Sequence, residues 1–400
     1  MAKKITQAVI FAGGLGVRLR PLTLVMPKPM VPVNGRPFLE YLIGHLRDNG
    51  VTNVLLLLGY RPENIVDHFG DGKKFGVDIR YCITPAEHDT GARLRSAKDF
   101  LDDRFLLLYS DNYLPIDLGA MAAFHEASGA TGMMTVYNNR DAAGEYGAKN
   151  NVNVGEDGIV TYYGPALEGD GANAIDVGFF IMPKSVIDFI VGDNPTFQAT
   201  VLPELIKRRQ LVAHRTDHPY YPITSVPHVA IMEKFLAPKK AVFLDRDGVI
   251  NKKAAAHDYV KTWKEFEFLP GSLEALRLFA EAGYQLYIVT NQRGIARGLM
   301  TEENLADINR RMVEAIEKHG GRVDGIYHCP HGDDAKCFCR KPSPGLFFRA
   351  ARDHHLDLTK AVMIGDSESD VKAGKAAGCR GILIKEGGLL EAAKELIKKS

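Results

Sequence analysis

Short apolar runs alternate with helix-like segments along the whole sequence, and this alternation restricts the fold more than any other feature. The runs include AVIFAGG, NVLLLLGY, RFLLLYSD, AVFLDRDG, YQLYIVTNQ and AVMIGDSESD. Strands that alternate with helices are typical of α/β proteins with largely parallel sheets. We therefore predict an α/β protein built from Rossmann-like three-layer domains.

The chain begins such a domain twice. Two chemically different loops, AGGLGVR and DRDGV, follow the first strand of each half. At 400 residues the chain also exceeds the roughly 250–300 residues at which single cores stop growing. The segment FLAPKK, residues 235–240, joins a helical stretch to a new strand through a proline and two lysines, which suits a short linker. We predict domains over residues 1–237 and 238–400, without an internal repeat.

Charge and cysteine content restrict the partners. The sequence has 50 Lys and Arg against 49 Asp and Glu, so no overall field favours nucleic acid or an anionic membrane. Apolar runs such as VLLLL are far shorter than the ~20 residues that cross a bilayer, and the N-terminus lacks the pattern of a signal peptide. Three of the five cysteines lie between Cys329 and Cys339, which favours metal binding over disulfides. We expect a cytoplasmic protein that acts on small molecules.

Asp245 and Asp247 follow the strand AVFL directly, at the end where α/β sheets gather ligands. Two carboxylates at this spacing can share a hard cation while one acts as nucleophile and the other as acid and base. Alone, the pair also fits a solvated turn in which Gly248 adopts an unusual backbone angle.

Later motifs supply the other groups that phosphoryl transfer through an aspartyl phosphate requires. They are Thr290 in YIVTNQ, Lys341 in CRKPSPG, and Asp366 with Asp370 in MIGDSESD. Asp245 would attack in line, and Asp247 would protonate the leaving alkoxide and then activate water. Thr290 and Lys341 would bind the phosphoryl oxygens, and Asp366 would complete a Mg²⁺ site with Asp245 and the backbone carbonyl of Asp247. The order and spacing resemble the haloacid dehalogenase superfamily, without room for a large cap domain between Asp247 and Thr290.

Four soft ligands form the pattern C-x-H-x5-C-x-C: Cys329, His331, Cys337 and Cys339. Three thiolates and an imidazole leave no open coordination position, so the pattern favours a tetrahedral structural Zn²⁺ that presents Arg340 and Lys341 to the substrate. The alternative is a set of unligated cysteines beside a loop histidine.

Together, DRDGVIN, TNQRGIARG, the CxH…CxC loop, CRKPSPG and MIGDSESD resemble the D-glycero-D-manno-heptose 1,7-bisphosphate 7-phosphatase family. Histidinol-phosphate phosphatases belong to the same group. The resemblance implies that Asn291 and Arg340 contact the substrate. Arg293 stands where the family carries a small serine, and it adds positive charge beside the phosphate pocket.

At the N-terminus, AVIFAGGLGVRLRPLT leads a strand into a glycine-rich turn whose backbone N–H groups could approach a phosphate chain, with Arg18 adding charge. The turn is neither GxGxxG nor a P-loop. The later segment PKPMVPVNGRP adds Lys28. Together these segments resemble the signature of sugar-1-phosphate nucleotidyltransferases, in which a sugar phosphate attacks the α-phosphate of a nucleoside triphosphate and expels pyrophosphate.

That resemblance implies roles for several residues. The nucleotide would be cradled by Gly13, Gly14 and Gly16, with Thr90 and Gly91 nearby, and its phosphates would be stabilised by Arg18 and Lys28. Asp111 would bind Mg²⁺ between the triphosphate and the sugar phosphate. Sugar contacts are expected at Tyr146, Gly147 and Asp176, with ordinary loop residues as the alternative for these three.

Two departures from the family pattern weaken this interpretation. The family aspartate of a D-I-G-T-P segment corresponds to Pro222 in YPITSVP, and the family lysine is missing near residues 162–165. Either other groups such as Ser225 substitute, or the domain is slow, or it only binds a nucleotide sugar.

The two resemblances describe consecutive steps, because removing the 7-phosphate of a heptose 1,7-bisphosphate leaves a heptose 1-phosphate. Resemblance to D-glycero-α-D-manno-heptose 1-phosphate guanylyltransferases suggests GTP as donor and GDP-D-glycero-α-D-manno-heptose as product, for bacterial surface glycans such as lipopolysaccharide. Two alternatives stay open: a phosphatase with a degenerate, regulatory nucleotide-sugar-binding domain, and a nucleotidyltransferase fused to a phosphatase of another substrate such as histidinol phosphate. Homo-oligomerisation is also left open.

Overall fold

The computed structural model describes residues 4–140, 142, 147–167, 169–255 and 258–399. The chain divides into two compact units, Met1–Leu236 and Ala237–Ser400, and the division falls inside the FLAPKK segment. Among the described residues, no helix combines the length and the apolar character that crossing a membrane requires.

The first unit is built on a mixed sheet. Its strands are β1 (Gln7–Phe11), β2 (Pro32–Val33), β3 (Arg36–Pro37), β4 (Asn53–Leu58), β5 (Asp78–Ile83), β6 (Arg104–Tyr109), β7 (Asn112–Tyr113), β8 (Gly132–Tyr137), β9 (Asn150–Val154), β10 (Val160–Leu167), β11 (Ile175–Pro183), β12 (Leu211–Thr216) and β13 (Tyr221–Pro222). Its α-helices are α1 (Phe38–Asp48), α2 (Pro62–Phe69), α3 (Thr90–Ser96), α4 (Leu118–Ser128), α5 (Phe197–Lys207) and α6 (Val226–Leu236).

The main sheet of this unit has the order β12-β8-β11-β6-β1-β4-β5. Consecutive residues of β1 contribute to opposite cores, Ala8 and Ile10 to one and Val9 and Phe11 to the other. Helices cover both faces, which explains why the strands read as continuous apolar runs. The predicted three-layer α/β architecture is confirmed for this unit.

β11 departs from the predicted parallel pattern, because it runs antiparallel to both β6 and β8. Between β8 and β11 the described residues form the β9–β10 pair and a short 3₁₀ helix (Gly169–Gly171), but no α-helix. A parallel return would need a crossover connection, usually a helix. The chain therefore re-enters the sheet at the same end of the strands at which β8 ended.

The second unit has a parallel sheet in the order β16-β15-β14-β17-β18. Its strands are β14 (Lys240–Leu244), β15 (Tyr284–Asn291), β16 (Gly325–Cys329), β17 (Val362–Gly365) and β18 (Arg380–Leu383). Its α-helices are α7 (Ser272–Glu281), α8 (Glu302–Lys318), α9 (Gly345–His354), α10 (Glu368–Ala376) and α11 (Leu389–Lys398). Between Asp247 and β15, the described residues contain a single α-helix, α7, and no inserted cap domain.

Two helices of this unit begin with a reciprocal capping box, which satisfies N–H groups that have no partner inside a helix. Thr301 and Asn304 cap α8, and Ser367 and Asp370 cap α10. The second box directly follows β17. It therefore fixes Asp370 at the edge of the sheet where Asp245 also lies.

Two candidate active sites

In the second unit, the ends of β14 and β17 bring the predicted carboxylates together. Asp245 follows β14 and its backbone N–H donates to the carbonyl of Ile364 in β17 (3.1 Å). Gly248 has a φ of +91°, and a Cβ there would lie 2.0 Å from an oxygen of Asp366. The glycine is needed both for the turn and for the approach of Asp366.

Lys341 lies at the centre of this site, with a side chain that is 1% exposed. Its Nζ contacts Asp245 Oδ1 at 2.9 Å and Asp370 Oδ1 at 2.6 Å, and donates to the carbonyl of Val289 at 2.8 Å. Burial by itself lowers the pKa of Lys341, but the charges of Asp245 and Asp370 outweigh it and raise that pKa. The lysine is therefore held as a cation. Burial raises the pKa of Asp245, and the charge of Lys341 opposes that rise.

Asp247 is oriented by three side chains that the sequence motifs do not identify. The fully buried Arg246 donates to both carboxylate oxygens (3.0 and 3.1 Å), and Asn251 and Gln292 each donate at 2.9 Å. Burial alone would raise the pKa of Asp247, but Arg246 and these hydrogen bonds lower it. In the resting site Asp247 is therefore a carboxylate.

The predicted partners from the next loops lie at the same edge. Thr290 is buried at the end of β15, and its hydroxyl accepts a hydrogen bond from Gln292 (2.9 Å). Asn291 exchanges two hydrogen bonds with the backbone of Lys341, at 3.0 and 3.1 Å. These bonds position the loop that carries Lys341, a role that the sequence motif does not specify.

A hard cation fits the carboxylates of this site. One oxygen from each of Asp245, Asp366 and Asp370 lies within 4.8 Å of the others. Asp366 Oδ1 is buried and has no hydrogen-bond partner among the described residues, while its Oδ2 contacts Lys253 Nζ at 2.5 Å. Oxygen ligands of this type suit Mg²⁺, and the unpaired Asp366 oxygen gives such an ion a place to bind.

The cysteine and histidine ligands also converge. Cys329 Sγ lies 3.6 Å from His331 Nδ1 and 3.5 Å from Cys337 Sγ, while Cys339 Sγ lies 3.2 Å from His331 Nδ1 and 3.4 Å from Cys337 Sγ. A Zn–S bond of ~2.3 Å gives a tetrahedral edge of ~3.7 Å. The four donor atoms could therefore hold one tetrahedral metal ion.

Two arginines from outside the loop between these ligands meet at a carboxylate on that loop. Arg293 and Arg340 both contact the carboxylate of Asp333, Arg340 at 2.9 Å. Arg293 also donates to the hydroxyl of Tyr259 at 2.9 Å, and Arg340 has a buried Nη1 without a partner among the described residues. Two guanidinium groups therefore share a single carboxylate, on the loop that leads to Lys341.

In the first unit, a cavity gathers most of the residues that the glycine-rich signature predicts. Those lining it are Gly13, Gly14, Gly16, Arg18, Lys28, Thr90 and Asp111. Gly16 has a φ of +61°, and a Cβ there would lie 2.9 Å from Thr23. Lys28 Nζ contacts Asp111 Oδ2 at 2.6 Å. The predicted phosphate contact and the predicted metal ligand are therefore paired with each other in this structure.

The segment that contains Pro222 does lie beside Asp111. Pro222 pairs with Asn112 across β13 and β7, and the N–H of Ile223 donates to the carbonyl of Asp111 at 2.8 Å. Thr224 lines the cavity, with its hydroxyl 2.7 Å from His228 Nδ1, whereas Ser225, the predicted substitute, is not among the lining residues. No described carboxylate joins Asp111 from this segment. A metal ion here would depend on Asp111 and the substrate's own phosphates, as Mg²⁺ sites for nucleotides often do.

The remaining predicted residues lie outside the cavity lining. Gly91 is buried in α3, where a Cβ would lie 2.8 Å from the carbonyl of Pro195, so close packing explains this glycine. Gly147 is exposed, and its carbonyl accepts from Asn139 at 2.8 Å. Tyr146 lies outside the described residues. Residues 162–165 form part of β10 and contain no lysine.

Asp176 lies on β11 at an irregularity of the strand pairing with β8. Gly178, with a φ of +79°, packs so closely on Tyr109 that a Cβ would lie 2.8 Å from its ring. The N–H of Gly178 donates to Asp176 at 2.8 Å, and the hydroxyl of Tyr163 donates at 3.3 Å. Burial raises the pKa of Asp176 to about 6. Bulges of this kind often redirect side chains beside active sites.

Different known proteins are similar to different parts of the chain. A family model described as nucleotidyl transferase matches residues 7–218, and one described as HAD-hydrolase-like matches residues 338–398. The D-glycero-beta-D-manno-heptose-1,7-bisphosphate 7-phosphatase of Pasteurella multocida is 40% identical over 156 residues, which cover 37% of this chain and 83% of the relative.

Two solved structures are similar to parts of the chain. The D,D-heptose 1.7-bisphosphate phosphatase from B. bronchiseptica, complexed with magnesium and phosphate, is 36% identical with a TM-score of 0.39, over 40% of this chain and 99% of that one. HddC from Yersinia pseudotuberculosis, complexed with GMP-PN, is 24% identical with a TM-score of 0.47, over 56% of this chain and 97% of that one.

The raised pKa of Asp176 predicts a pH-dependent effect of Asp176→Asn. Because the folded pKa lies above the unfolded value of ~3.9, the wild-type carboxyl stabilises the fold below about pH 4, and this contribution is lost as the pH rises through about 6. The asparagine variant has no such loss. Its stability relative to wild type should rise by about 2 kcal/mol between pH 4 and pH 7.

Urea unfolding followed by circular dichroism measures this difference, and fluorescence of the sole tryptophan, Trp263, reports the second unit separately. Asp188→Asn, at a side chain that is 68% exposed, serves as the control. A difference between Asp176→Asn and wild type that stays constant over this pH range would contradict the raised pKa.

Proposed function

We propose that this chain catalyses two consecutive steps toward a nucleotide-activated heptose. It belongs to the nucleotidyl transferase family over residues 7–218, and to the D-glycero-beta-D-manno-heptose-1,7-bisphosphate 7-phosphatase family in its second unit. The first step removes the 7-phosphate of a heptose 1,7-bisphosphate. The second transfers a nucleotidyl group, GMP from GTP, to the resulting heptose 1-phosphate and releases pyrophosphate.

The observation that carries the phosphatase step is the contact of Lys341 with Asp245 and Asp370 (2.9 and 2.6 Å) at the carboxyl edge of a parallel sheet. Such a cation can orient a carboxylate nucleophile and neutralise a phosphoryl oxygen beside it. An oxygen of Asp245 attacks the phosphorus atom, and the bond from phosphorus to the C7 oxygen breaks. Water then attacks the aspartyl phosphate, which releases inorganic phosphate and restores Asp245.

Asp247 moves the protons in both halves of this reaction. It gives a proton to the leaving alkoxide, and in the second half it takes a proton from the attacking water. Arg246, Asn251 and Gln292 favour its charged form, which is the form that the second half needs. Arrival of an anionic phosphoryl group favours the protonated form by like-charge repulsion, which is what the first half needs. Mg²⁺ held by Asp245, Asp366 and the Asp247 carbonyl would neutralise charge on the phosphoryl oxygens.

Recognition of a bisphosphate is supported by the positive charge of Arg293 and Arg340. Both guanidinium groups share the single carboxylate of Asp333, and an anionic group of the substrate can replace it. The phosphate that is not cleaved is such a group. This favours a bisphosphate over a substrate with one phosphate, such as histidinol phosphate.

In the nucleotidyl transfer step, the loop of Gly13, Gly14 and Gly16 receives the triphosphate. Lys28 turns from Asp111 to the phosphates, and Asp111 would then be free to hold a Mg²⁺ ion, which would neutralise charge on the phosphates. An oxygen of the sugar phosphate attacks the α-phosphorus and the bond to pyrophosphate breaks. Arg18 stabilises the charge that develops on the phosphates.

A second candidate function is a phosphatase whose first unit only binds and senses a nucleotide sugar. It is favoured by Pro222, which lies beside Asp111 where the family pattern has an aspartate. We also propose a cytoplasmic location and a role in bacterial surface glycan synthesis.

The test supplies purified protein and Mg²⁺ with the α- or β-anomer of heptose 1,7-bisphosphate and one nucleoside triphosphate at a time, and measures phosphate and pyrophosphate separately. We expect phosphate release without nucleotide, and pyrophosphate release only after dephosphorylation and only with GTP. Phosphate release alone with every triphosphate would support the second candidate. Faster hydrolysis of histidinol phosphate than of either bisphosphate would overturn the heptose assignment.

Asp245→Asn should abolish phosphate release, because an amide cannot act as the nucleophile, with a loss of at least ~10³-fold in kcat. With heptose 1-phosphate supplied directly, the variant should release pyrophosphate at the wild-type rate, because that chemistry belongs to the other unit. Asp307→Asn, at a side chain of α8 that is 43% exposed, is the control. A folded Asp245→Asn protein that loses both activities would contradict the independence of the two sites.

We propose that the Cys329, His331, Cys337 and Cys339 ligands hold a structural Zn²⁺. Metal analysis should find about one zinc per chain, and Cys339→Ser should lose it. Since the loop of residues 330–340 has little core of its own, limited proteolysis should then cut it faster. Cys379→Ala, at a buried cysteine elsewhere in the same unit, should keep the zinc. Equal zinc content in the Cys339→Ser protein would disprove the assignment.

A further inference from the structure

Arg93 is an arginine buried beneath the glycine-rich loop of the first unit. It belongs to α3, only 3% of its surface is exposed, and it lines the same cavity as Gly14, Arg18 and Lys28. Burial of a guanidinium is costly unless its N–H groups find acceptors. The motifs that indicate nucleotidyl transfer assign no role to this residue.

The acceptors of Arg93 come from three separate parts of the sheet edge. Nη1 donates to the carbonyl of Leu58, the last residue of β4, at 2.7 Å and to the hydroxyl of Thr84 at 2.5 Å. Nη2 donates to the carbonyls of Gly13 at 3.2 Å and Ala86 at 2.9 Å. One side chain therefore ties together the loops that follow β1, β4 and β5.

Two glycines make room for this guanidinium. A Cβ at Gly13 would lie 2.6 Å from Arg93 Cζ, and a Cβ at Gly59 would lie 2.1 Å from its Nη1. Both lie far below the spacing that atoms in contact can reach. A side chain at either position would therefore displace the guanidinium of Arg93, independently of any ligand.

The positive charge of Arg93 is poorly compensated. Its four hydrogen bonds all go to uncharged oxygen atoms. Burial lowers its pKa, and Asp89 and Glu87 oppose that effect without a hydrogen bond to it. A buried charge of this kind acts over a longer distance than an exposed one, because less water screens it. The cavity is consequently biased toward an anionic ligand.

We propose that Arg93 is a positioning residue for the triphosphate: it fixes the carbonyl of Gly13, so that the N–H groups of the following glycine-rich loop face the phosphates, and it adds an unscreened positive charge below them. This inference rests on the proposed nucleotidyl transfer. Arg93 does not touch the reacting atoms, so its effect is on binding of the nucleotide rather than on the chemical step.

The test compares Arg93→Lys with Arg95→Lys. Arg95 is the matched control, because it lies in the same helix and also donates to backbone carbonyls, those of Ile190, Gly192 and Asp193. A lysine at position 93 keeps the charge but cannot reach four acceptors. We expect the KM for the nucleoside triphosphate to rise by about tenfold, while kcat and the KM for the sugar 1-phosphate change by less than about threefold. Arg95→Lys should leave all three unchanged.

Gly59→Ala gives a second variant that keeps the arginine and displaces it. It should raise the KM for the triphosphate in wild type, but add little in the Arg93→Lys background, because both changes disturb the same contact. Additive effects would overturn the proposal. So would an unchanged KM for the triphosphate in Arg93→Lys, or a loss confined to kcat.

Equilibrium binding of a fluorescent triphosphate analogue separates this inference from the proposed function. If wild type and Arg93→Lys bind the analogue equally well, the proposed role of Arg93 is overturned and nucleotidyl transfer is unaffected. Wild type that neither binds nor turns over any triphosphate would overturn both. Phosphatase activity of the second unit, measured in the same samples, normalises the amount of protein. A kcat and a KM for the sugar 1-phosphate that stay near the wild-type values show that the first unit of each variant is folded.

Discussion

The ammonium group of Lys341 lies out of water between the carboxylates of Asp245 and Asp370, and the chemistry of the second unit depends on this contact. Removing one member of a buried ion pair leaves an uncompensated charge, which is much more costly than the pair itself. One cation between two anions also leaves a surplus of negative charge, to which the nearby Asp366 adds. This surplus suits a divalent cation, and such an ion would in turn offset the charge of an anionic group that enters the site.

Both candidate sites pair cationic side chains with carboxylates of the protein. In the first unit Lys28 contacts Asp111, and in the second Lys253 contacts Asp366 and the two arginines share Asp333. In each case a cation that could meet a phosphate is paired with a carboxylate of the protein. Binding of a phosphate at these positions would exchange one ion pair for another. The gain in binding free energy would then be smaller than the number of charges suggests, and it would depend on geometry.

Sequence reasoning predicted the architecture, both family resemblances and the carboxyl-edge position of Asp245, Thr290 and Asp366, and these are confirmed. Such residues follow apolar strands directly, so their position depends on local patterns. The sequence motifs did not predict roles for Arg246, Gln292 and Arg93, because the proposed roles depend on contacts between segments distant in sequence. The antiparallel β11 was also missed, since the direction of a strand depends on what connects it. The roles of the site residues stay predictions, and Tyr146 lies outside the described residues.

Asp370, in the first turn of α10, has two structural roles. Its Oδ2 accepts hydrogen bonds from the N–H and hydroxyl of Ser367 at the start of the helix (3.0 and 2.6 Å), while its Oδ1 faces Lys341. A substitution here alters helix initiation and the charge of the lysine's surroundings together. Substitution of Asp370 is therefore restricted both by helix capping and by the charge of Lys341. A laboratory selection for stability alone would be expected to retain the same aspartate that a selection for turnover retains.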